Sequence, residues 1–296
     1  MTEYGLLANV VSPRALKVST KHGRSEQYQI LFNKLASYDR DSMHLAQLGL
    51  TMLGMVVDME PAVLQSEAQT SIKICPDTRE RVSEQLKRAM TDLGATWFIY
   101  FNTQARMPFR EWGVENTAEF SRRFAECYPD AAIIFTASPI RQNEVMKEID
   151  SHNFRRSIFF NTSYDLLEIA ALAEASRLVI TPDTSVIHFG TAAKKPTLVL
   201  WSNRDHLPMD WIPLRVPSRN LAPSVKGDPV SSISVDEVWR AATELLENPS
   251  MSTQTSFDPT TGASDLYQAQ NGDEPLAELI SRTLSVDSEG VYRLVT

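Results

Sequence analysis

From residue 97 onward, short apolar runs alternate with amphipathic stretches of helical period. Residues 97–101, 131–135, 157–160, 178–180 and 197–201 read as buried strands, near-continuously apolar rather than alternating. Between them the spacing predicts helices. Residues 116–128 carry Phe120, Phe124 and Tyr128 on one face, with Asn116 and Glu119 as a capping pair. Residues 144–149 form a short helix, and 164–175 an alanine- and leucine-rich one capped by Ser163. This β-α alternation predicts an open, doubly wound parallel sheet, Rossmann-like, with helices on both faces. Ligands of such sheets sit beyond the carboxyl ends of the strands. Asn102-Thr103, Thr136, Asn161-Thr162 and Asp183-Thr184 therefore share one rim.

Upstream the pattern is weaker. Residues 6–11 and 15–19 read as strands, and 40–55 as a helix with a crowded apolar face. Asp77 and Glu80 suggest a capping box for a helix carrying Val82, Leu86, Met90 and Leu93, closed by Gly94. Downstream of Trp201 an irregular, proline-bearing stretch runs to about residue 231. Ser234 and Glu237 then cap a helix to Leu246. From about residue 248 the chain turns to Ser, Thr, Gln, Gly and Asp, a composition that reads as a mobile polar tail. The expected domains are 1–93, 94–247 and the tail 248–296.

Composition narrows the function classes. The 296 residues are 43% hydrophobic and 22% charged, with a net charge of −8, and no basic block offers a nucleic-acid surface. The longest apolar stretches are too short to span a bilayer, and the first residues lack the pattern of a signal peptide. Cys75 and Cys127 have no metal-ligand spacing, and His22 and His44 have no partners at ligand spacing. The chain is expected to be cytoplasmic, with reduced thiols, no metal and no cofactor.

The candidate chemistry lies in residues 177–201. The strand Leu178-Val179-Ile180 meets Thr181-Pro182-Asp183, which breaks it; Asp183 or Thr184 caps a helix from Ser185 to about Ala193. Lys194-Lys195-Pro196 ends that helix before the next strand. A strand end facing a helix N-terminus suits a phosphate group. His188 lies one turn into the helix on the face of Thr184. It is either a ligand or a ring tucked against a neighbour, and Asp183 is either a cap or a ligand.

The run Asp183-Thr184-Ser185-Val186-Ile187-His188, followed by small residues and Lys195-Pro196, resembles the nucleotide-sugar motif of glycosyltransferase family 9. These are the heptosyltransferases of lipopolysaccharide core assembly. Ser185 stands where the family usually has glycine. Arg110 and Trp112, after the strand 97–101, match the family's Lys/Arg-x-Trp. Asp205 falls in the slot of its Gly-x-Thr-Asp loop, and the helix from Ser234 resembles its closing helix. The resemblance covers about residues 15–247 and is strongest over 96–247.

The resemblance implies a GT-B arrangement, the Rossmann-like sheet accompanied by an N-terminal α/β domain that is incomplete here. It implies transfer of a heptose from a nucleotide-sugar, ADP-heptose in the family, to a glycolipid or saccharide acceptor without a metal. Asp183, Thr184, Ser185, His188, Arg110, Thr103 and Glu144 become the donor-binding candidates, with Asn143 or Glu144 toward the nucleoside. Arg110 is otherwise a solvated cation, and Trp112 otherwise packs. The family's proposed base, an Asp in a Gly-Asp motif after its first strand, has no counterpart, so the catalytic residue is unknown. Glu26, Asp39, Asp41 and Asp58 are the substitutes to consider. Weak donor binding, little transfer and self-association through the N-terminal part are expected, at the cytoplasmic face of the inner membrane. The competing function is a non-catalytic nucleotide-sugar-binding or scaffold protein on the same fold.

Overall fold

A computed structural model describes residues 16, 18–20, 32, 34–36, 43–57, 68–162, 165–202, 210–248, 284–286 and 292–294. These fall into two compact units, with one boundary between Gln69 and Thr70. Among the described residues of the second unit, six strands form one parallel sheet: β3 (Trp97–Phe101), β4 (Ala131–Phe135), β5 (Ser157–Phe159), β6 (Val179–Pro182), β7 (Thr197–Leu200) and β8 (Ser218–Leu221). Their order is β5-β4-β3-β6-β7-β8, so the winding reverses between β3 and β6. There β3 pairs with β6 through Tyr100 and Phe101 alone, while it pairs with β4 along all five residues.

Strand periodicity divides the core between two faces. Ile99, Phe101, Ile133 and Phe135 point to one face, where they meet Phe120 and Phe124 of α3 (Val114–Cys127) and Val238 and Leu245 of α7 (Val235–Glu247). Phe98, Tyr100 and Ile134 point to the other. They pack with Val82 and Leu86 of α2 (Pro76–Leu93), Leu172 of α5 (Leu166–Ala175) and Val186 of α6 (Val186–Ala192). Both faces are thus covered, which is why these strands are apolar at every position. The short α4 (Gln142–Ser151) buries Val145 against the first face. Helix α2 packs on the sheet it precedes, although the sequence reading groups it with the N-terminal part.

Several helix starts differ from expectation. Helix α2 begins at Pro76 after Cys75, and no side chain caps it. Proline at the first position is preorganised for helix, and Thr78 is occupied by the Cys75 sulfur at 3.0 Å. Its other end is as read, with Gly94 in the left-handed region at φ 63°. Helix α3 starts two residues early because Gly113, at φ 93°, makes the turn that only glycine adopts freely. Asn116 is therefore inside the helix, where its amide donates to the Trp112 and Ser231 carbonyls. Ser163 lies outside the described residues; Asp165 caps α5, its Oδ1 accepting from Leu167 N at 2.9 Å. The Ser234–Glu237 capping box of α7 forms as read. Strand β6 runs on past Ile180 through Thr181 and ends at Pro182, which pairs with Leu200. Strand β8 falls in the stretch read as irregular.

The first unit holds a parallel pair, β1 (Val18–Thr20) with β2 (Lys34–Ala36), and α1 (Leu45–Val57). His44 Nδ1 accepts from Ala46 N at 3.0 Å, a helix-start role. An antiparallel pair joins β9 (Leu284–Val286) to β10 (Tyr292–Leu294), within the stretch read as tail. The rest of 249–296 lies outside the described residues. Among the described residues no helix is long and apolar enough to cross a membrane.

Gly190 fixes how closely α6 lies on the sheet. A Cβ there would stand 2.6 Å from Thr197 Oγ1 and 3.4 Å from Val179 Cβ. Gly190→Ala is expected to cost about 1–3 kcal/mol by overpacking. In a denaturant-melt double-mutant cycle, Thr197→Ala should relieve part of that cost. Strict additivity of the two substitutions would show that α6 is not seated through this contact.

Candidate functional site

The carboxyl ends of the central strands are polar and buried. Asn102 follows β3, Thr136 follows β4, Thr162 lies beyond β5 and Thr181 sits within β6, each less than a tenth exposed. Polar groups in such places must find partners. Asn102 Nδ2 donates to the Gln104 carbonyl at 3.1 Å, to Thr181 Oγ1 at 3.1 Å and to Thr184 Oγ1 at 3.2 Å. The Thr181 and Thr184 hydroxyls are 3.0 Å apart. The Tyr100 hydroxyl meets Thr136 Oγ1 at 2.9 Å, and burial pushes its phenol well above the usual range. This network ties β3 to the β6–α6 turn where the sheet reverses.

An open cavity of about 820 Å³ lies above that network. Ala137, Ile140, Leu166, Ile169 and Phe189 give it apolar walls, and Ile140 and Leu166 keep 93% and 65% of their surface exposed. Gln104, Ser138, Thr184 and Ser185 give it polar positions, and Arg106, Arg141, Glu144 and Asp165 its charges. Apolar walls with a few convergent polar groups are the usual make-up of a small-molecule site.

The expected site residues divide among three places. Thr184, Ser185 and Glu144 line this cavity. Thr103 does not; it lines a separate polar pocket of about 30 Å³ with Glu111 and Glu148. Arg110 and Asp183 form an ion pair, Nη1 to Oδ2 at 3.2 Å, beside the cavity rather than among its lining residues. At the start of α6, Thr184 Oγ1 accepts from Val186 N at 3.3 Å. His188 is half-buried near Asp183 and absent from the cavity wall. Burial holds its imidazole below the usual range against the opposing pull of that carboxylate. Trp112 is core: it is 1% exposed, stacks on Phe101, and donates from Nε1 to the Ile233 carbonyl at 2.8 Å.

A family model for the glycosyltransferase family 9 (heptosyltransferase) matches residues 7–220 of the chain. The chain belongs to glycosyltransferase family 9. No curated protein matches it by sequence. Among solved structures it is similar to a family 9 glycosyl transferase from Veillonella parvula, with TM-score 0.66 and 20% identity, over 82% of this chain and 70% of that one. The ADP-heptose lps heptosyltransferase II of E. coli matches with TM-score 0.59 and 14% identity, over 84% and 74%. E. coli heptosyltransferase WaaC with ADP matches with TM-score 0.57 and 11% identity, over 84% and 71%. At these identities the likeness is one of fold, and the fold is the expected α/β GT-B type.

Read as a family 9 glycosyltransferase, the chain brings in residues that the motif comparison missed. Arg141 ties Glu111 to Glu144, reaching Glu144 Oε1 at 2.6 Å, and its hydrogen bonds hold the Glu144 carboxyl below the usual carboxylate range. Glu111 Oε1 also accepts from Ala105 N at 3.0 Å, and Gln104 Oε1 from Ser138 N at 2.9 Å. The loops after β3 and β4 are thereby tied together. No local pattern announced the Arg141–Glu111 and Ser138–Gln104 pairs, because their partners lie 30 residues or more apart in sequence. Asp205, Glu26, Asp39, Asp41 and Asp58 lie outside the described residues. Among the described residues no group of three or more His, Cys, Asp or Glu side chains is placed to hold a metal ion.

Two measurements check these placements. Trp112→Ala should destabilise the fold by about 3–5 kcal/mol as a core aromatic. Arg110→Ala should cost only about 0–1 kcal/mol, since its ion pair is partly solvated. Equal losses from the two in urea titrations would contradict the division. The second concerns pH. The folded state binds a proton at His188 less readily than the unfolded chain does. The stability this ring contributes should be complete above about pH 6.5 and fall as pH drops through its depressed folded value. His188→Gln should flatten the melting-temperature profile in that window; an unchanged slope would mean the ring titrates alike in both states.

Proposed function

We propose that the chain binds a nucleoside diphosphate sugar in the cavity beyond the carboxyl ends of β3 and β6, and transfers the sugar to a saccharide or glycolipid acceptor. The single observation that carries this reading is the cavity itself. It is an 820 Å³ space at the reversal of a doubly wound sheet, with apolar walls on one side and the Thr184-Ser185 turn on another. Such reversals are where these sheets bind nucleotides. ADP-heptose is the proposed donor, since the fold is shared with proteins titled as ADP-heptose and ADP-bound heptosyltransferases.

Within that reading the parts take separate tasks. Ala137, Ile140, Leu166 and Phe189 suit the flat face of a base. Thr184 and Ser185 offer hydroxyl and main-chain donors to the diphosphate, whose charge must be met as it leaves. Asp183, a carboxylate, suits the hydroxyls of the sugar rather than the phosphates. Arg110 holds it in that position. His188, kept neutral by burial, can donate or accept beside it. Glu144, fixed by Arg141, can accept from a ribose hydroxyl. The base that deprotonates the acceptor is not assigned to any described residue.

The test has two stages. ADP, UDP and GDP are titrated against the full chain while its melting temperature is followed. The favoured nucleotide should stabilise by about 2.7 kcal/mol at a hundredfold excess over its dissociation constant. No shift with any of them at millimolar concentration would remove the site assignment. ADP-heptose with a lipopolysaccharide-core acceptor is then assayed for release of free ADP. Binding without acceptor-dependent release would favour a non-catalytic nucleotide-sugar-binding protein instead.

A further inference from the structure

The charges around the cavity are almost all spoken for. Arg141 is held by Glu111 and Glu144, and Asp165 caps α5 and stands 3.7 Å from Arg81. Just outside the lining, Arg110 is held by Asp183. Among the described residues lining the cavity, one cation is held by no acid, the Arg106 guanidinium. It is exposed and makes no hydrogen bond or ion pair. Its backbone surroundings are fixed: Gln104 N bonds to Asn102 Oδ1 at 3.4 Å and Ala105 N to Glu111 Oε1 at 3.0 Å. On the same loop, Gln104 spends its Oε1 on Ser138 N, and its buried Nε2 finds no acceptor. A loop held in place by neighbouring side chains and ending in donors without acceptors is complementary to an anion.

We propose that Arg106, on the loop after β3, supplies the counter-charge for the diphosphate of the bound nucleotide. Arg110, the cation that the motif comparison singles out, positions Asp183 instead. The assignment rests on the nucleotide-sugar reading of the cavity, and it adds the residue that distinguishes a nucleoside diphosphate from a nucleoside. A guanidinium presents several donors in one plane and can take two phosphate oxygens at once, which an ammonium cannot. Because Arg106 is exposed and unpaired, replacing it removes no interaction of the folded chain.

The experiment compares adenosine, ADP and inorganic pyrophosphate binding to the full chain by calorimetry, for wild type, Arg106→Gln and Arg106→Lys. Arg106→Gln should weaken ADP about tenfold or more while leaving adenosine unchanged. Its ADP affinity should also depend less steeply on salt. Arg106→Lys should recover part of the loss. ADP affinity equal in wild type and Arg106→Gln would overturn the assignment and leave the nucleotide reading intact. So would equal losses for adenosine and ADP, because the residue would then serve the nucleoside or the fold. Wild-type binding of pyrophosphate that Arg106→Gln abolishes, with no binding of ADP or adenosine, would uphold an anion site at Arg106 and overturn the adenine nucleotide. If wild type binds none of the three, the Arg106 assignment falls, and the nucleotide reading falls with it only if UDP and GDP also fail to bind.

Discussion

The two-residue pairing of β3 with β6 is the constraint on which the second unit depends. Every other neighbouring pair in the sheet shares three to five register positions, whereas here only Tyr100↔Val179 and Phe101↔Ile180 align. Past Phe101, Asn102 N still donates to the Ile180 carbonyl at 2.9 Å, and the cavity lies beyond that bond. Such a short seam would leave polar ends exposed to a dry interior. Asn102 prevents this, because one amide reaches both Thr hydroxyls of β6 and its turn, and the carbonyl of its own loop. Sheet reversal, polar network and binding space are one arrangement seen at three scales.

The second contribution comes from the opposite wall. Gly190 lets α6 lie against β6 and β7 at a distance that no other side chain permits. The helix N-terminus is thereby carried to the cavity edge, with Thr184 and Ser185 among the lining residues. Thr184 serves both parts: its hydroxyl caps α6 through Val186 N and receives the Asn102 amide. A residue fixed by two neighbours loses little further freedom when a ligand arrives, which is the physical content of preorganisation.

The sheet was legible in the sequence because two-sided burial leaves an unmistakable trace, runs such as Phe98 to Phe101 and Ala131 to Phe135 with no polar interruption. Edges were harder. β8 reads Ser-Arg-Asn-Leu, and an edge strand with one neighbour has no need to be apolar. Helix starts were misread wherever backbone conformation outranked side-chain capping, at Pro76 and Gly113. Motif spacing singled out the run after β6, of which Thr184 and Ser185 line the cavity while Asp183 and His188 do not. It could not see that Asp183 would be matched to Arg110, or that Thr103 would turn toward a different pocket from Gln104's cavity-facing neighbours. Those outcomes depend on which side of a loop faces inward, and that is decided by contacts far away in sequence.

The ion pairs around the cavity belong to geometry rather than to stability. Arg110–Asp183 and Arg141–Glu144 are partly solvated, and pairs of that kind contribute about 0–1 kcal/mol each. A chain selected only for stability would gain little from them. What they do is remove degrees of freedom. Arg141 holds Glu111 and Glu144 together across the loops after β3 and β4, and Arg110 holds Asp183 at the end of β6. Arg110 meets one acid beside the cavity and Arg141 meets two. For the proposed diphosphate those carboxylates would be repulsive if unscreened, since like charges a few ångströms apart repel strongly in a partly dry cleft. Because one guanidinium is shared by Glu111 and Glu144, the cavity keeps an acidic bias, and Arg106, the lining cation that no acid holds, is the charge that would offset it for the proposed diphosphate.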